Sequence, residues 1–182
     1  AKQERIELVV IGPEAALAAG LADACLAARI PVLGPTMAAA KIESSKIFAK
    51  HIMAEAGIPT AHAHEFDRAS DAIEFARSTR QPWVVKADGL ASGKGVVVAE
   101  DVEQTLLAIQ QLSSLGGGQR ILLEQRLKGP EISMLALCSG ERLLALAPAR
   151  DHKRLKDGDQ GPNTGGMGAI APVALGEDDI TY

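Results

Sequence analysis

The stretch that decides the fold is WVVKADGLASGKGVVVA, residues 83–99. Two apolar, β-rich runs, 83–86 and 96–99, flank the glycine-rich segment 86–95. Short apolar runs on both sides of such a segment predict two strands joined by a hairpin loop. Three glycines let the loop fold back with its N–H groups pointing inward, and such a nest beside two lysines suits a polyphosphate.

A Walker A loop is the obvious rival for this segment, and its spacing fails twice. Gly89 and Gly93 have three residues between them where the rule requires four, and Gly95 follows Lys94 where a magnesium-binding hydroxyl is needed. A Walker A loop also opens a helix, whereas a strand is expected here. A flexible glycine-rich turn with two exposed lysines and no ligand remains the alternative.

Further polar groups follow the next apolar run, 121–124, which predicts another strand. Beyond it the backbone of 124–127 is expected to be free to pair with the edge of a purine. Glu131 can accept hydrogen bonds from two ribose hydroxyls, because an ionised carboxylate is only an acceptor. An ordinary surface glutamate is the alternative for Glu131.

Upstream, two apolar runs, 6–11 and 30–33, each end in a Gly-Pro pair, and apolar residues recur at helical spacing between them. Strand, crossover helix and strand predict a parallel pair buried on both faces. A helix from about Ser45 follows, in which Lys46 and Lys50 are four apart and share one face. They could bind one anion, or they could form a solvated basic face.

The downstream region changes character after a predicted antiparallel hairpin formed by 132–138 and 142–147. Beyond Pro148 the chain is polar and rich in glycine, without a predicted strand. The cluster 151–154 offers cationic groups for a phosphate or carboxylate, with a basic surface run as the alternative. The glycines of 161–168, around Asn163 and Thr164, suggest a backbone moulded against a ligand.

The composition and charge of the chain favour some classes of protein and argue against others. Apolar residues make up 47% and aromatic residues 3%, which is typical of a layered α/β core built from aliphatic side chains. A formal net charge of −4 argues against a protein that binds nucleic acid through its phosphates. No apolar run is long enough to span a membrane. Cys25 and Cys138 are expected to be buried thiols in a reducing cytoplasm.

Taken together, Lys46, the strand lysine and loop at 86–95, and the segment 124–131 resemble the ATP-grasp superfamily. The block formed by 151–154 and 157–169 resembles the signature of its phosphoribosylamine-glycine ligase family. Residues 11–14, 34–36 and 44–60 are also similar to that family. Arg150, where a glutamine is common, is among the departures from its usual pattern.

The resemblance implies a fold of mixed class, α/β and α+β. Residues 1–59 would be the remainder of a Rossmann-like, parallel pre-ATP-grasp domain with linking helices. Residues 60–126 would be the ATP-grasp lid with the glycine-rich loop. Residues 127–182 would begin the ATP-grasp core with a substrate-binding loop.

The resemblance also implies the site residues. Those expected to bind ATP are Lys46, Lys86, Asp88, Gly89, Leu90, Ala91, Ser92, Gly93, Lys94, Gly95, Glu124, Gln125, Leu127 and Glu131. Those expected to bind or act on the acceptor are Asp151, His152, Lys153, Arg154, Asp159, Pro162, Asn163, Thr164, Gly165 and Met167. No metal ligand is expected in this chain, and those for Mg²⁺ are expected outside it.

The activity implied is ATP-dependent ligation of glycine to 5-phosphoribosylamine through glycyl phosphate, an early step of purine synthesis, in the cytoplasm. The chain is expected to be an internal fragment, inactive without the remaining domains of its parent polypeptide, and to have no nucleic-acid or membrane partner. Another ATP-grasp carboxylate-amine ligase and a non-catalytic nucleotide-binding module remain alternatives.

Overall fold

The computed structural model describes residues 3–91, 95–114, 120–158 and 160–174. They belong to two compact units, Ala1–Leu127 and Lys128–Tyr182. The first contains all of the helices among the described residues. Its elements are β1 (Val9–Val10), α1 (Glu14–Ala18), α2 (Leu21–Ala27), β2 (Val32–Leu33), α3 (Met37–Ser44), α4 (Lys46–Glu55), β3 (Ala63–Phe66), α5 (Ala69–Thr79), β4 (Val84–Ala87), β5 (Val96–Val98), α6 (Val102–Ser114) and β6 (Ile121–Glu124).

The first pair of strands is parallel, as predicted, with Val9 opposite Val32. The predicted strand lengths and two-sided burial are wrong. Each strand has only two paired residues, and Val10 is 64% exposed. Among the described residues these strands pair only with each other, so few neighbours cover them. The crossover consists of two helices, because Gly20 between them adopts a left-handed φ of 83°.

The two linking helices begin at side-chain caps. Thr36 Oγ1 accepts a hydrogen bond from the Ala39 N–H at 3.4 Å, and Ser45 Oγ accepts one from the Phe48 N–H at 3.1 Å. Each cap satisfies an N–H that the first helical turn leaves unpaired. Ser45 therefore fixes the residue at which α4 begins, and with it the direction of the lysine-bearing face.

An antiparallel sheet with the strand order β3-β6-β4-β5 forms the centre of this unit. The predicted hairpin is confirmed, because Lys86 pairs with Val96 and the loop leads into β5 rather than a helix. The Ala87 N–H donates to the Gly95 carbonyl at 2.9 Å and closes the base of the loop. Residues 92–94 of the loop lie outside the described residues.

Alternation along β4 and β6 divides the sheet into two faces. Val85, Ala87, Ile121 and Leu123 are fully buried and point towards α5 and α6. The helices contribute small and aliphatic side chains to this core: Ala72, Ala76, Ala108, Ile109 and Leu112. Burying one such Ile or Leu stabilises the fold by about 1.5–3 kcal/mol. The residues that alternate with these along β4 and β6, including Lys86 and Glu124, therefore lie on the opposite face of the sheet.

The second unit contains two antiparallel hairpins. Strands β7 (Ala136–Ser139) and β8 (Arg142–Ala145) confirm the first of them. The substrate-binding loop expected after Pro148 is instead a pair of strands, β9 (Arg150–Lys156) and β10 (Gln160–Ile170). The register shifts twice along β10, and glycine permits these irregularities because Gly161 and Gly166 adopt positive φ values of 83° and 126°.

The two thiols differ in burial. Cys25 on α2 is buried, as expected. Cys138 is exposed, as is every other residue of β7, because no described part of the second unit covers this strand. The expectation that both thiols are buried is therefore wrong for Cys138. No described helix combines the length and apolarity that a membrane span requires.

A buried hydroxyl joins the edge of the core to α6. Thr105 is fully buried, accepts a hydrogen bond from the Trp83 N–H at 3.1 Å and donates to the Asp101 carbonyl at 2.9 Å. The side chain therefore satisfies one buried donor and one acceptor.

We predict that Thr105→Val lowers the free energy of unfolding by about 1–3 kcal/mol, because the Trp83 N–H is left buried without an acceptor. Urea denaturation followed by circular dichroism measures the change. Ser114→Ala, which removes an exposed hydroxyl from the same helix, is the matched control and should stay within about 0.5 kcal/mol of the parent. Equal stability of the two variants would contradict the role given to Thr105.

Candidate functional site

A pocket of about 370 Å³ lies between α4 and the polar face of the sheet. Four of its five charged side chains come from α4 and the sheet: Lys46 and Lys50 from α4, Lys86 from β4 and Glu124 from β6. The remaining lining residues are Ile42, Glu43, Ala49, Met53, Thr60, Val96 and Leu122. The structure thus brings together Lys46, Lys86 and Glu124, which the sequence assigned to one ligand.

Glu124 bridges two of these lysines. One carboxylate oxygen contacts Lys50 Nζ and the other contacts Lys86 Nζ. The Glu124 side chain is only 11% exposed. Burial raises the pKa of the Glu124 carboxyl, but the hydrogen bonds from Lys50 and Lys86 outweigh that effect and hold the pKa below its ordinary value. The group is therefore a carboxylate at neutral pH.

Lys46 joins α4 to the glycine-rich loop. Its Nζ donates to the Gly89 carbonyl at 2.8 Å. Burial lowers the pKa of the Lys46 ammonium, the Asp88 carboxylate opposes this effect and the Lys86 ammonium adds to it. The two ammonium groups repel each other across the pocket. An anion that binds in the pocket is therefore stabilised by both positive charges.

Asp88 fastens the start of the loop to the start of α4. Its carboxylate accepts hydrogen bonds from Ser45 Oγ at 3.0 Å, from the Ile47 N–H at 3.2 Å and from Arg120 at 2.7 Å. Burial raises the pKa of the Asp88 carboxyl, but these donors outweigh burial and the pKa lies below its ordinary value. The sequence assigned Asp88 to the nucleotide, whereas the structure shows a carboxylate already engaged in positioning the loop.

Two glycines give the loop its shape. Gly89 has a φ of 108°, which side chains rarely adopt. At Gly95 an added Cβ would lie 2.6 Å from the Ala91 Cβ, so a larger residue would push the two sides of the loop apart. Leu90 and Ala91 are half-buried beside them. The predicted contacts of Ser92, Gly93 and Lys94 lie outside the described residues.

The segment expected to pair with a purine is only partly free. The Gln125 N–H donates to the His62 carbonyl at 2.8 Å, so the expectation of an open backbone is wrong at this group. The strand β3 begins just after His62 and extends the sheet, which occupies this donor. Arg126 pairs with Glu100 at 2.7 Å. The Leu127 side chain is 69% exposed at the end of the first unit.

The second unit carries the other predicted residues. Glu131 is exposed and lies 3.7 Å from Lys153 Nζ, which is 3.8 Å from Asp151. The Thr164 hydroxyl donates to the Lys153 carbonyl at 2.9 Å and accepts from the Gly166 N–H at 3.1 Å. The contact between Thr164 and Lys153 joins β10 to β9, so the structure brings the two halves of the polar block into one hairpin.

A shallow pocket of about 330 Å³ opens on this hairpin. His152, Arg154 and Met167 contribute to its lining, together with Leu155, Lys156, Asp157 and Gly158. Arg154 is held by a hydrogen bond to the Gly161 carbonyl at 2.7 Å. Gly165 lies in β10, and Asn163 pairs through its backbone with Arg154. The side chains of Pro162 and Asn163, and all of Asp159, lie outside the described residues.

Sequence reasoning missed three parts of the first site. The roles of Ser45 and Arg120 in holding Asp88, and of Glu124 as the partner of two lysines, depend on contacts between distant segments. The sequence signal for this site was the helical spacing of Lys46 and Lys50, which places both lysines on one face of α4. The alternative that this face is solvated is wrong for Lys50, because its side chain is 11% exposed. Among the described residues, no group of three His, Cys, Asp or Glu side chains is placed to hold a metal ion.

We predict that Asp88→Asn lowers stability at pH 7 by about 1–3 kcal/mol, because charged hydrogen bonds are stronger than neutral ones. The folded-state pKa of Asp88 is depressed, so its contribution is present above the ordinary carboxyl pKa near 4 and is lost as pH falls through the folded value.

The difference between parent and Asp88→Asn should therefore shrink below about pH 4. Denaturation curves at pH 7 and at pH 3 measure it. Asp67→Asn, at an exposed carboxylate, is the control and should show little difference at either pH. A stability difference between the parent and Asp88→Asn that is larger at pH 3 than at pH 7 would contradict this account.

Comparison with known proteins agrees with the geometry. Residues 44–181 match the model of the phosphoribosylglycinamide synthetase ATP-grasp (A) domain, and residues 1–43 match that of its N domain. Phosphoribosylamine–glycine ligase of Synechocystis sp. is 48% identical over 94% of this chain and 41% of its own length. The ligase of Ralstonia nicotianae is 48% identical over 96% of this chain and 42% of its own length.

Solved structures include a close match in fold. The crystal structure of phosphoribosylamine–glycine ligase from Thermotoga maritima superposes with a TM-score of 0.78 at 35% identity, covering 95% of this chain and 43% of that one. The chain thus spans about two fifths of the length of the relatives it matches. Because the two domain models together account for residues 1–181, this chain belongs to the phosphoribosylglycinamide synthetase family and has its ATP-grasp fold.

Proposed function

We propose that this chain supplies the ATP site and part of the acceptor site of a ligase that joins glycine to 5-phosphoribosylamine. The remaining domains would come from the parent polypeptide, as in the longer relatives. The observation that carries the proposal is the convergence of Lys46 and Lys86 on one pocket beside the glycine-rich loop. Family membership supports the choice of reaction.

The pocket fits a nucleotide in volume and charge. A space of about 370 Å³ is within the range of small-molecule sites. Lys86 is 24% exposed and Glu124 is its one ion-pair partner among the described residues, so its ammonium is accessible to a phosphate. Lys46 links the same space to the loop through Gly89. The two lysines are therefore the proposed phosphate ligands, and Asp88 is proposed to hold the loop over them.

The purine would bind at the end of β6. Since the Gln125 N–H is occupied by His62, we assign purine recognition to Leu127 and to the carbonyl groups of the segment. Glu131, which follows at the start of the second unit, is proposed to accept hydrogen bonds from the ribose hydroxyls. Gln125 then contributes through its carbonyl or side chain, not through its N–H.

The acceptor would bind on the β9–β10 hairpin. Arg154 and Lys153 can pair with a phosphate or carboxylate, and Asp151 can orient the lysine at 3.8 Å. Asp159, Pro162, Asn163, Thr164, Gly165 and Met167 are proposed to shape the pocket around the acceptor, with His152 in its lining. The Thr164 hydroxyl donates to the Lys153 carbonyl, which joins the two strands at this point.

The chemistry requires charge compensation. The glycine carboxylate would attack the γ-phosphate of ATP to give glycyl phosphate and ADP, and the amine of phosphoribosylamine would then displace phosphate from that intermediate. Mg²⁺, bound by ligands outside this chain, would neutralise further phosphate charge. The protein's own contribution is to hold cations where negative charge develops and to exclude water from an acyl phosphate.

We predict that Lys86→Ala weakens ATP binding about 10- to 100-fold, because it removes a charge-assisted phosphate contact. Calorimetric titration of ATP into the complete gene product measures this, and release of ADP on addition of glycine and phosphoribosylamine tests the reaction. Lys41→Ala, an exposed lysine outside the pocket lining, is the control. Unchanged affinity in Lys86→Ala would contradict the site, and no substrate-dependent ADP release would contradict the reaction.

We predict that Asn163→Ala leaves ATP affinity unchanged and lowers ligase turnover by about 10-fold, since leaving a polar group of a bound substrate unpaired costs about 1–3 kcal/mol. Gln160→Ala, in the same strand, is the matched control and should retain activity. Loss of ATP affinity with normal turnover at saturating ATP would refute this division between the two sites.

A further inference from the structure

Lys50 is the most completely bonded charged group in the first pocket. Its ammonium donates to Glu124, to Thr60 Oγ1 at 2.7 Å and to the Ala61 carbonyl at 2.7 Å. An ammonium has three donors, so each of them has a partner. Thr60 and Ala61 belong to the segment that follows α4, and this segment therefore holds Lys50 in place. Such a group has no donor left for a ligand.

Lys86 has the opposite character. Among the described residues its ammonium contacts only Glu124, and its side chain is about twice as exposed as that of Lys50, 24% against 11%. Two of its donors remain for other acceptors. A lysine with one protein partner and a flexible stem can move to a new anion at little cost in contacts.

Glu124 makes this movement conditional. The carboxylate is almost fully buried, and a buried charge left without a partner is strongly unfavourable. If Lys86 were its only partner, each transfer of Lys86 to a phosphate would leave Glu124 unpaired. Because Lys50 contacts the other carboxylate oxygen, Glu124 keeps one ion pair after Lys86 leaves.

We propose that Lys50 is a positioning residue that keeps Glu124 neutralised, so that Lys86 is free to leave Glu124 and bind the nucleotide phosphates. This inference rests on the proposed function, because it requires nucleotide in the pocket. It separates the two lysines of α4 by role: Lys46 faces the ligand, and Lys50 acts through Glu124 and Lys86. A solvent-facing basic helix would give both the same role.

The test is a cycle of variants in the complete gene product, with MgATP affinity measured by calorimetry. Lys50→Met should weaken binding about 10-fold, because Glu124 then holds Lys86. Glu124→Gln should bind at least as tightly as the parent, because the competitor for Lys86 has lost its charge while the backbone carbonyl of residue 124, which belongs to the segment proposed to bind the purine, is unchanged. Adding Glu124→Gln to Lys50→Met should restore affinity to within about three-fold of Glu124→Gln alone. These changes correspond to about 1.4 and 0.6 kcal/mol.

The rescue distinguishes this role from a structural one, because lost packing at Lys50 would persist in the double variant. Lys41→Met is the matched control for loss of a nearby lysine and should bind normally. Should Lys50→Met fail to fold, Glu124→Gln alone still decides, since weaker binding in that variant overturns the proposal. Unchanged affinity in Lys50→Met, or no rescue, also overturns it. A parent protein that does not bind MgATP refutes the proposed function itself.

Discussion

The two-residue alternation of β4 and β6 is the constraint on which the first unit depends. Val85 and Leu123 point into the helix-covered core, and their neighbours Lys86 and Glu124 must then point to the other face. A slip of one residue in either strand would bury a charge in an aliphatic core and expose an aliphatic side chain. The packing that stabilises the sheet therefore also aims the charged groups at the pocket.

Buried carboxylates organise the charges on that face. Glu124 connects β6 to β4 and α4 through two lysines, and Asp88 connects the loop to α4 through Ser45 and a backbone N–H. In both cases the depressed pKa results from donors that belong to different elements. A single helix, α4, thus meets the sheet at Glu124 and the loop at Asp88, which makes it the common support of the site.

Local sequence patterns predicted those elements that are determined by residues close together in the sequence. The hairpin at 83–99 and the helix beginning at Ser45 follow from turn residues and periodicity, and the structure confirms both. Contacts between segments far apart were not predictable: Lys50 with Glu124, or Asp88 with Arg120. The strand β10 was missed because its many glycines give no β-rich signal, and its pairing with β9 becomes evident only when both are folded. The roles given to the ATP-site and acceptor-site residues, and the three-part domain division, remain predictions.

The aromatic content of the chain has a spectroscopic consequence. Trp83 is its single tryptophan, it is 4% exposed, and its indole N–H is bonded to Thr79 at 3.1 Å. It packs at the edge of the helix-covered core, near Phe75 and His64. Intrinsic indole fluorescence of this chain is therefore an optical probe confined to the first unit, and events restricted to the second unit require an extrinsic label, for which the exposed thiol of Cys138 offers a point of attachment.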